Sequence, residues 1–278
     1  MSIARFGYGA ALQETGAVDS IDFAASLGLG AVELSLNLPV FFPEAHTAVL
    51  RSLIRQYAAD HGVTLTIHAP EDLSILSLQK SVREASLDRL KEAVDFAGDI
   101  GARRVTMHLG NAVFFTMPDG TKHSLLDDYP DDYRTGMETC LGQLRDHAAG
   151  GPLVCVENDP QYNHTFVREV LGEILREGGL YLTWDLGHSY GRPAQQDFMR
   201  EHAALVRNCH VHDHDGRSDH LVPGTGKNDL AGYLKLLSGN DTHFIFEVRP
   251  RTAVPACVEW AKRVLAGDAG PCAEQVRD

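Results

Sequence analysis

The chain has 278 residues, of which 44% are hydrophobic, and a formal net charge of −13. That length suits one large α/β unit, and that charge makes nucleic acid, bound by neutralising its phosphates, a poor expectation as a partner. No apolar stretch approaches a membrane span, and the opening MSIARFGYGAALQETG lacks the apolar run of a signal peptide.

Short apolar runs alternate with amphipathic segments along the chain. Ile3–Tyr8 reads as a first strand, with a helix following inside Val18–Leu27. Ala31–Leu34 is the second strand, and the helix Glu44–His61 carries Val49, Leu53 and Tyr57 at i, i+4 and i+8. Thr64–His68 precedes the helix Val82–Ile100, whose Leu87, Leu90, Val94 and Ala97 recur at three- and four-residue steps. Arg104–His108 is followed by a long connection and the helix Tyr133–His147. Leu153–Glu157 pairs with Phe166–Arg176, Leu180–Asp185 with Asp197–Leu205, Cys209–Asp213 with Asp229–Leu237, and Phe244–Glu247 with Val254–Leu265. Gly28, Gly62, Gly101, Gly178, Gly239 and Gly267 stand where helices should stop.

Eight strand–helix pairs predict an α/β fold, a single (β/α)8 TIM barrel over residues 1–278 with its active site at the C-terminal strand ends. A doubly wound open sheet is the alternative, but the first turn, Tyr8-Gly9-Ala10-Ala11, has no G-x-G-x-x-G. The connection NAVFFTMPDGTKHSLLDDYPDD, residues 111–132, is long for a loop and too apolar for free disorder. It is predicted to be a lid or an oligomer contact. Cys140, Cys155, Cys209, Cys257 and Cys272 are odd in number and dispersed, which argues for a reducing cytoplasm rather than a disulfide framework.

The last residue of each strand carries the chemistry. The second strand holds Glu33, the third ends in His68, the fourth in His108, the fifth in Glu157, and the sixth in Asp185 with His188 three residues on. The seventh supplies His210, His212 and Asp213, and the eighth ends in Glu247. In a barrel these ends converge on one mouth. One histidine at a strand end is ordinarily structural, but several carboxylates sharing one mouth repel each other, and a divalent cation removes that repulsion. Imidazole and carboxylate without thiolate suits Mn²⁺, Mg²⁺, Co²⁺, Fe²⁺ or Zn²⁺. Alternation puts His210 and His212 on one side of their strand, with His210 deeper and His212 nearer the rim. His214 and Asp215 read as solvated loop, ahead of the bend Pro223-Gly224-Thr225-Gly226.

The series IHAP, MHLG, VEND, WDLGH, CHVHD, PGTG and FEVRP resembles the xylose isomerase-like TIM barrels, from the first strand to the last. That superfamily includes ketose 3-epimerases, hydroxypyruvate isomerase, inosose dehydratase, dehydroshikimate dehydratase and endonuclease IV. The resemblance implies a metal held by Glu157, Asp185, His210 and Glu247, with Glu157 and Glu247 also the catalytic acid/base pair. It implies substrate contacts from His188 and, less directly, Arg217, with His68 and His108 also at the substrate side. Similarity to the three-zinc cluster of endonuclease IV makes His68, His108, His188, Asp219 and His220 candidate ligands for additional metal, although Asp219 and His220 are adjacent where that enzyme has an Asp-x-His pair.

Two classes of function follow. In the first, the chain is a metal-dependent sugar, sugar phosphate or polyol isomerase or epimerase, or a related dehydratase, moving a proton through a metal-stabilised enediolate. Phe41 and Phe42 would then pack on a sugar ring or form a plain hydrophobic lid. In the second, it is a multi-zinc phosphodiesterase acting on abasic DNA, which needs a basic groove. The basic pairs Arg103-Arg104 and Lys262-Arg263 fall in helices or away from the mouth, so the first class is favoured. A metal-binding barrel without catalysis is a third reading. The expected partners are a small carbohydrate and a second copy of the chain; neither membrane nor nucleic acid is expected.

Overall fold

The structure, a computed structural model, describes residues 1–268; Cys272 and the rest of 269–278 lie outside the described residues. Among the described residues ten strands run in chain order: β1 (Phe6–Ala10), β2 (Ala31–Ser35), β3 (Thr64–His68), β4 (Arg104–Met107), β5 (Phe114–Thr116), β6 (Lys122–Ser124), β7 (Leu153–Glu157), β8 (Tyr181–Asp185), β9 (Val206–Val211) and β10 (His243–Phe246). All but β5 and β6 pair in parallel and close into a barrel in the order β1, β10, β9, β8, β7, β4, β3, β2. This is the (β/α)8 arrangement that the alternating pattern predicts. The helices are α1 (Ala17–Ser26), α2 (Ala48–Asp60), α3 (Lys80–Ile100), α4 (Leu125–Asp128), α5 (Pro130–His147), α6 (Thr165–Arg176), α7 (Pro193–Glu201), α8 (Leu230–Leu237) and α9 (Val254–Leu265). Among the described residues no helix is long and apolar enough to cross a membrane.

The apolar core lies between barrel wall and helices. The Phe6 ring meets Phe244 at 5.3 Å and Phe246 at 5.4 Å, and Tyr8 meets Phe23 of α1 edge-on at 5.1 Å. The barrel interior is polar instead. Thr106 Oγ1 lies 2.8 Å from Thr183 Oγ1, Asn208 donates to Thr106 at 3.0 Å, and both Thr66 and Asn208 donate to Glu33. Such a floor suits polar chemistry above it, because every buried group needs a partner.

The far, N-terminal end of the barrel is locked by two arginines. The fully buried Arg104 guanidinium bonds His243 Nδ1 and donates to the Asp241 carbonyl at 2.8 Å. Burial and the adjacent Arg104 charge hold His243 down at about 4, so it stays a neutral acceptor. Arg5 donates to the carbonyls of Ser238, Asn240 and Thr242, tying the start of the chain to the turn before β10. The pair Arg103-Arg104 is thus at the end opposite the mouth, and Lys262-Arg263 lies in α9.

Several expectations shift. The chain begins with a tight turn at Ile3–Arg5, and β1 starts only at Phe6. The second helix starts at Ala48, where Thr47 Oγ1 caps the Leu50 N–H, and Glu44 sits in a separate turn. Its buried residues are Ile54 and Ala58, whereas Val49 and Leu53 are exposed; the i, i+4, i+8 spacing marked the wrong stripe. The helix placed at Asp197–Leu205 begins at Pro193, a residue suited to a first turn, and stops at Glu201. Phe41 is buried in the core and so is withdrawn from any sugar ring; Phe42 carries Arg89 over its face.

Residues 111–132 form the β5–β6 hairpin and α4. Val113, Phe114, Phe115, Met117 and Tyr129 are exposed, while Leu126 is buried. Replacing Phe114 and Phe115 by serine is therefore expected to leave urea unfolding within about 0.5 kcal/mol of wild type. Leu126→Ala is expected to cost about 2–5 kcal/mol in the same measurement. A large loss in the double serine variant would show that the hairpin tip is packed.

Candidate functional site

Parallel strands end with their inward side chains at one rim, and here that rim is built of acids and imidazoles. Glu157 at the end of β7 is the hub. Its Oε2 lies 3.2 Å from His68 Nε2 and 3.0 Å from His108 Nε2, and its Oε1 lies 3.1 Å from His210 Nδ1. His210 Nδ1 is also 3.1 Å from Glu247 Oε2 and 3.8 Å from Asp185 Oδ2. Glu157, Asp185, His210 and Glu247 thus offer four ligand atoms within 4.8 Å of one another, and His68, Glu157 and His210 form a second such group.

A third group is His188, His212 and His220. His188 Nδ1 lies 3.1 Å from Asp185 Oδ2, and its Nε2 is 3.9 Å from Asp219 Oδ2. His212 was expected nearer the rim than His210. Both are fully buried; His210 reaches down to Glu33, while His212 has Nε2 at 3.0 and 3.1 Å from the two Asp185 oxygens and its ring stacked on His220 at 4.3 Å. The sequence Asp185-Leu186-Gly187-His188 makes this possible, because a Cβ at Gly187 would collide with the His212 ring. Asp219 is half out of the cluster and bonds His220 Nδ1 at 2.9 Å. Arg217 stands exposed on the loop, and its side chain has no partner among the described residues.

Charge balance explains the protonation of the cluster. Burial alone would raise Glu157, but the His210 and His108 charges hold it well below the usual carboxylate range. Burial likewise opposes ionisation of Asp185 and Glu247, and neighbouring imidazoles overcome it in both. Burial would lower His68, yet Glu157 and Glu33 carry it up to about 10. His210 rises well above its ordinary value for the same reason, and His220, against its own burial, rises to about 9 beside Glu247 and Asp219. Without a cation, protons on imidazole neutralise the acids. Two buried atoms of the cluster, Glu247 Oε2 and His220 Nε2, make no well-aligned hydrogen bond, although His210 Nδ1 lies 3.1 Å from the first and Glu247 Oε1 3.4 Å from the second. Poorly satisfied buried atoms within an oxygen-and-imidazole donor set fit a divalent cation. A cavity of about 20 Å³ beside Glu33, His68 and Glu247 has room for one water-sized occupant.

Three residues outside the expected ligand and substrate-binding sets support the site: Glu33 and Asp213, seen in the strand-end pattern without a role, and Asn158, which that pattern did not single out. Glu33 Oε1 lies 2.7 Å from His210 Nε2. Asn158, inside VEND, accepts the Asp185 N–H at 2.7 Å and donates to its carbonyl at 3.1 Å, fixing the end of β8. Asp213 shapes the loop after β9. Its carboxylate accepts the backbone N–H of His214 and Asn228 on one oxygen and of Gly224 and Gly226 on the other, at 2.8–3.0 Å. A Cβ at Gly226 would collide with the Asp213 carboxylate, which explains the glycine of PGTG. The same loop holds His220 at φ 54°, a left-handed conformation uncommon outside glycine and asparagine. His214 and Asp215 bond within the loop, and His214 stacks on Tyr190 at 4.8 Å.

Asp213→Asn replaces an acceptor by a donor facing two N–H groups. It is expected to destabilise the protein by about 1–3 kcal/mol in denaturant unfolding and to expose residues 214–228 to proteolysis. Unchanged stability would mean that the loop is held by other contacts.

Comparison with known proteins agrees with this architecture. The sequence profile of the xylose isomerase-like TIM barrel family matches residues 21–264. An uncharacterized protein of Methanocaldococcus jannaschii is 25% identical over 219 residues, covering 76% of this chain and 81% of its own. A solved D-tagatose 3-epimerase-like protein superimposes with a TM-score of 0.74 at 22% identity, covering 95% of this chain and 97% of its own. Endonuclease IV from Thermus thermophilus superimposes with a TM-score of 0.68 at 18% identity, covering 95% and 99%. The IOLI protein, solved with a zinc atom, gives 0.71 at 13%, covering 97% and 99%. At these identities the solved structures speak to the fold, and the profile match speaks to descent: the chain belongs to the xylose isomerase-like TIM barrel family.

Proposed function

We propose that the protein is a divalent-metal-dependent isomerase or epimerase of a small sugar, sugar phosphate or polyol, with a related dehydration as the nearest alternative. The observation that carries this is the approach of Glu157, at the end of β7, and Glu247, just past β10, to within 3.1 Å of one imidazole nitrogen in a group with Asp185. Those four residues would hold the metal, one of Mn²⁺, Mg²⁺, Co²⁺, Fe²⁺ or Zn²⁺. When bound, such a cation supplies Lewis-acid polarisation of a carbonyl. Glu157 and Glu247 remove and return the proton on the neighbouring carbon, reaching it from separate strands. His188, His68 and His108 line the mouth and bind substrate oxygens, and Arg217 joins them if its loop folds inward. We place the protein in the cytoplasm, with residues 111–132 as a lid or as a contact between copies. In the Phe114, Phe115 double serine variant a lid predicts lost turnover, and a contact predicts a smaller particle in sedimentation; neither change would retire both roles.

A second reading has its own support. His68, His108 and Glu157 on one side, and His188, His212 and His220 with Asp219 on the other, flank the central group as further ligand sets. Three tightly held metals would favour a phosphodiesterase. The net charge of −13 weighs against a nucleic-acid substrate.

Exchange of substrate hydrogen for deuterium, followed by NMR in D2O over a panel of ketoses, tests the first reading. Labelling alpha to the carbonyl that falls at least ~100-fold in Glu247→Gln supports it. No labelling with any ketose, together with cleavage of abasic-site DNA, would overturn it. Metal loading is also expected to release protons, because imidazoles raised by their carboxylate neighbours are protonated near neutral pH and must give up that proton to a cation. Calorimetric titration at about pH 7.5 in two buffers of different ionisation enthalpy measures this; equal heats in both would show that the ligands are already deprotonated.

A further inference from the structure

We infer that Glu33 is a positioning residue: it fixes the orientation and proton placement of His210, so that the imidazole presents Nδ1 to the metal group. This rests on the metal reading above. Glu33 lies on β2 and is buried, with a relative exposure of 3%. β2 does not pair with β9, because β1 and β10 stand between them. Its carboxylate nevertheless reaches across the barrel interior to His210.

The two carboxylate oxygens have different duties. Oε1 takes the imidazole, at 2.7 Å from His210 Nε2. Oε2 takes three donors from other strands: Asn208 Nδ2 at 2.7 Å, Thr66 Oγ1 at 3.2 Å and Thr106 Oγ1 at 3.4 Å. Those donors belong to β9, β3 and β4. The carboxylate therefore cannot rotate away from His210 without breaking bonds to three strands. Carboxylate has no proton to give, so His210 Nε2 must carry the hydrogen of this contact. Nδ1 faces the carboxylates of Glu157, Glu247 and Asp185 and carries a proton while no cation is present, but a cation held by those three would displace that proton, whereas the one on Nε2 stays with Glu33. A ligating histidine whose other nitrogen donates to a carboxylate is more basic and better oriented than a free one.

Glu33 also lines the small cavity beside His68 and Glu247, yet the stated bonds occupy both of its oxygens. Its place is behind the imidazole, not among the ligands. This separates it from Glu157 and Glu247, whose oxygens face the shared centre. A purely structural acid in the barrel floor would bond the threonines and Asn208 alike, but it would have no consequence for a cation bound on the far side of His210.

The test is Co²⁺ titration of the metal-free protein, read by visible d–d absorption with a competing chelator. Glu33→Gln keeps the shape and loses the charge, and is expected to bind Co²⁺ about 10–100-fold more weakly with an altered band. Thr66→Val removes one clamp on Oε2, leaves Glu33 itself in place, and is expected to weaken Co²⁺ binding less, in the same direction. Should Glu33→Gln fail to fold, the Thr66→Val result decides. Unchanged Co²⁺ affinity and spectrum in the variants, whatever their melting temperatures, overturns the positioning role and leaves the metal reading standing. No Co²⁺ binding by wild type overturns both.

Discussion

Four carboxylates gathered around the His210 imidazole are the constraint on which the rest of this molecule turns. Glu157 and Asp185 are wholly buried, Glu33 nearly so, and the Glu247 side chain is 16% exposed; carboxylates gathered this closely repel each other. The protein answers with imidazoles, each set within about 3 Å of an acid. Every further feature of the mouth serves that pairing. Asn158 holds the strand end that carries Asp185, Gly187 leaves space for the His212 ring, and Asp213 ties down the loop that delivers His220. The polar floor of threonines and Asn208 continues the same accounting downward, so that no acid ends on an apolar wall.

This pairing explains why the site can be both buried and responsive. A neutral apolar pocket would be easier to fold, but it would offer nothing to a cation or a polar substrate. A cluster of ion pairs whose protons sit on imidazole can exchange those protons for another positive charge with little change in net charge. The outer wall contrasts with it: a groove of about 640 Å³ between α6 and α7 is larger than the space beside Glu33 and Glu247, yet its lining has no comparable convergence of ligand atoms among the described residues. Volume alone is a poor guide here.

Much of this was legible from residue order, for a simple reason. In parallel strands the last inward residue faces the mouth, so His68, Glu157 and Asp185 could be placed from strand ends alone, and the repeated strand–helix rhythm pointed to the closed barrel. Depth and lateral reach were not legible. Alternation put His212 on the side of His210 but could not show that the loop after β9 returns to it, with the His220 N–H on His212 Nδ1 and the two rings stacked. Glu33 was visible as a strand-end acid, but its partner depends on which strands face each other across the barrel, a property of closure and not of any local pattern. Val49 and Leu53 follow a helical spacing, yet the buried stripe is Ile54 and Ala58, because where α2 meets its neighbours is set by the packing of α3.

The seam between β1 and β10 joins the two ends of the chain into one barrel. Arg5 grips carbonyls 233 to 237 residues away, and pairings of such span carry the largest loop-closure entropy. Glu247 follows β10 directly, and Glu33 enters from β2 on the other side of that seam. Glu157, Asp185, His210 and Glu247 stand on or directly after β7, β8, β9 and β10, which pair one after another, so the four are neighbours along the sheet whether or not it closes. Only the carboxylate behind His210 comes from beyond the seam, so the four ligand atoms belong to one run of paired strands, whereas the contact of Glu33 with His210 is a signature of the closed barrel itself.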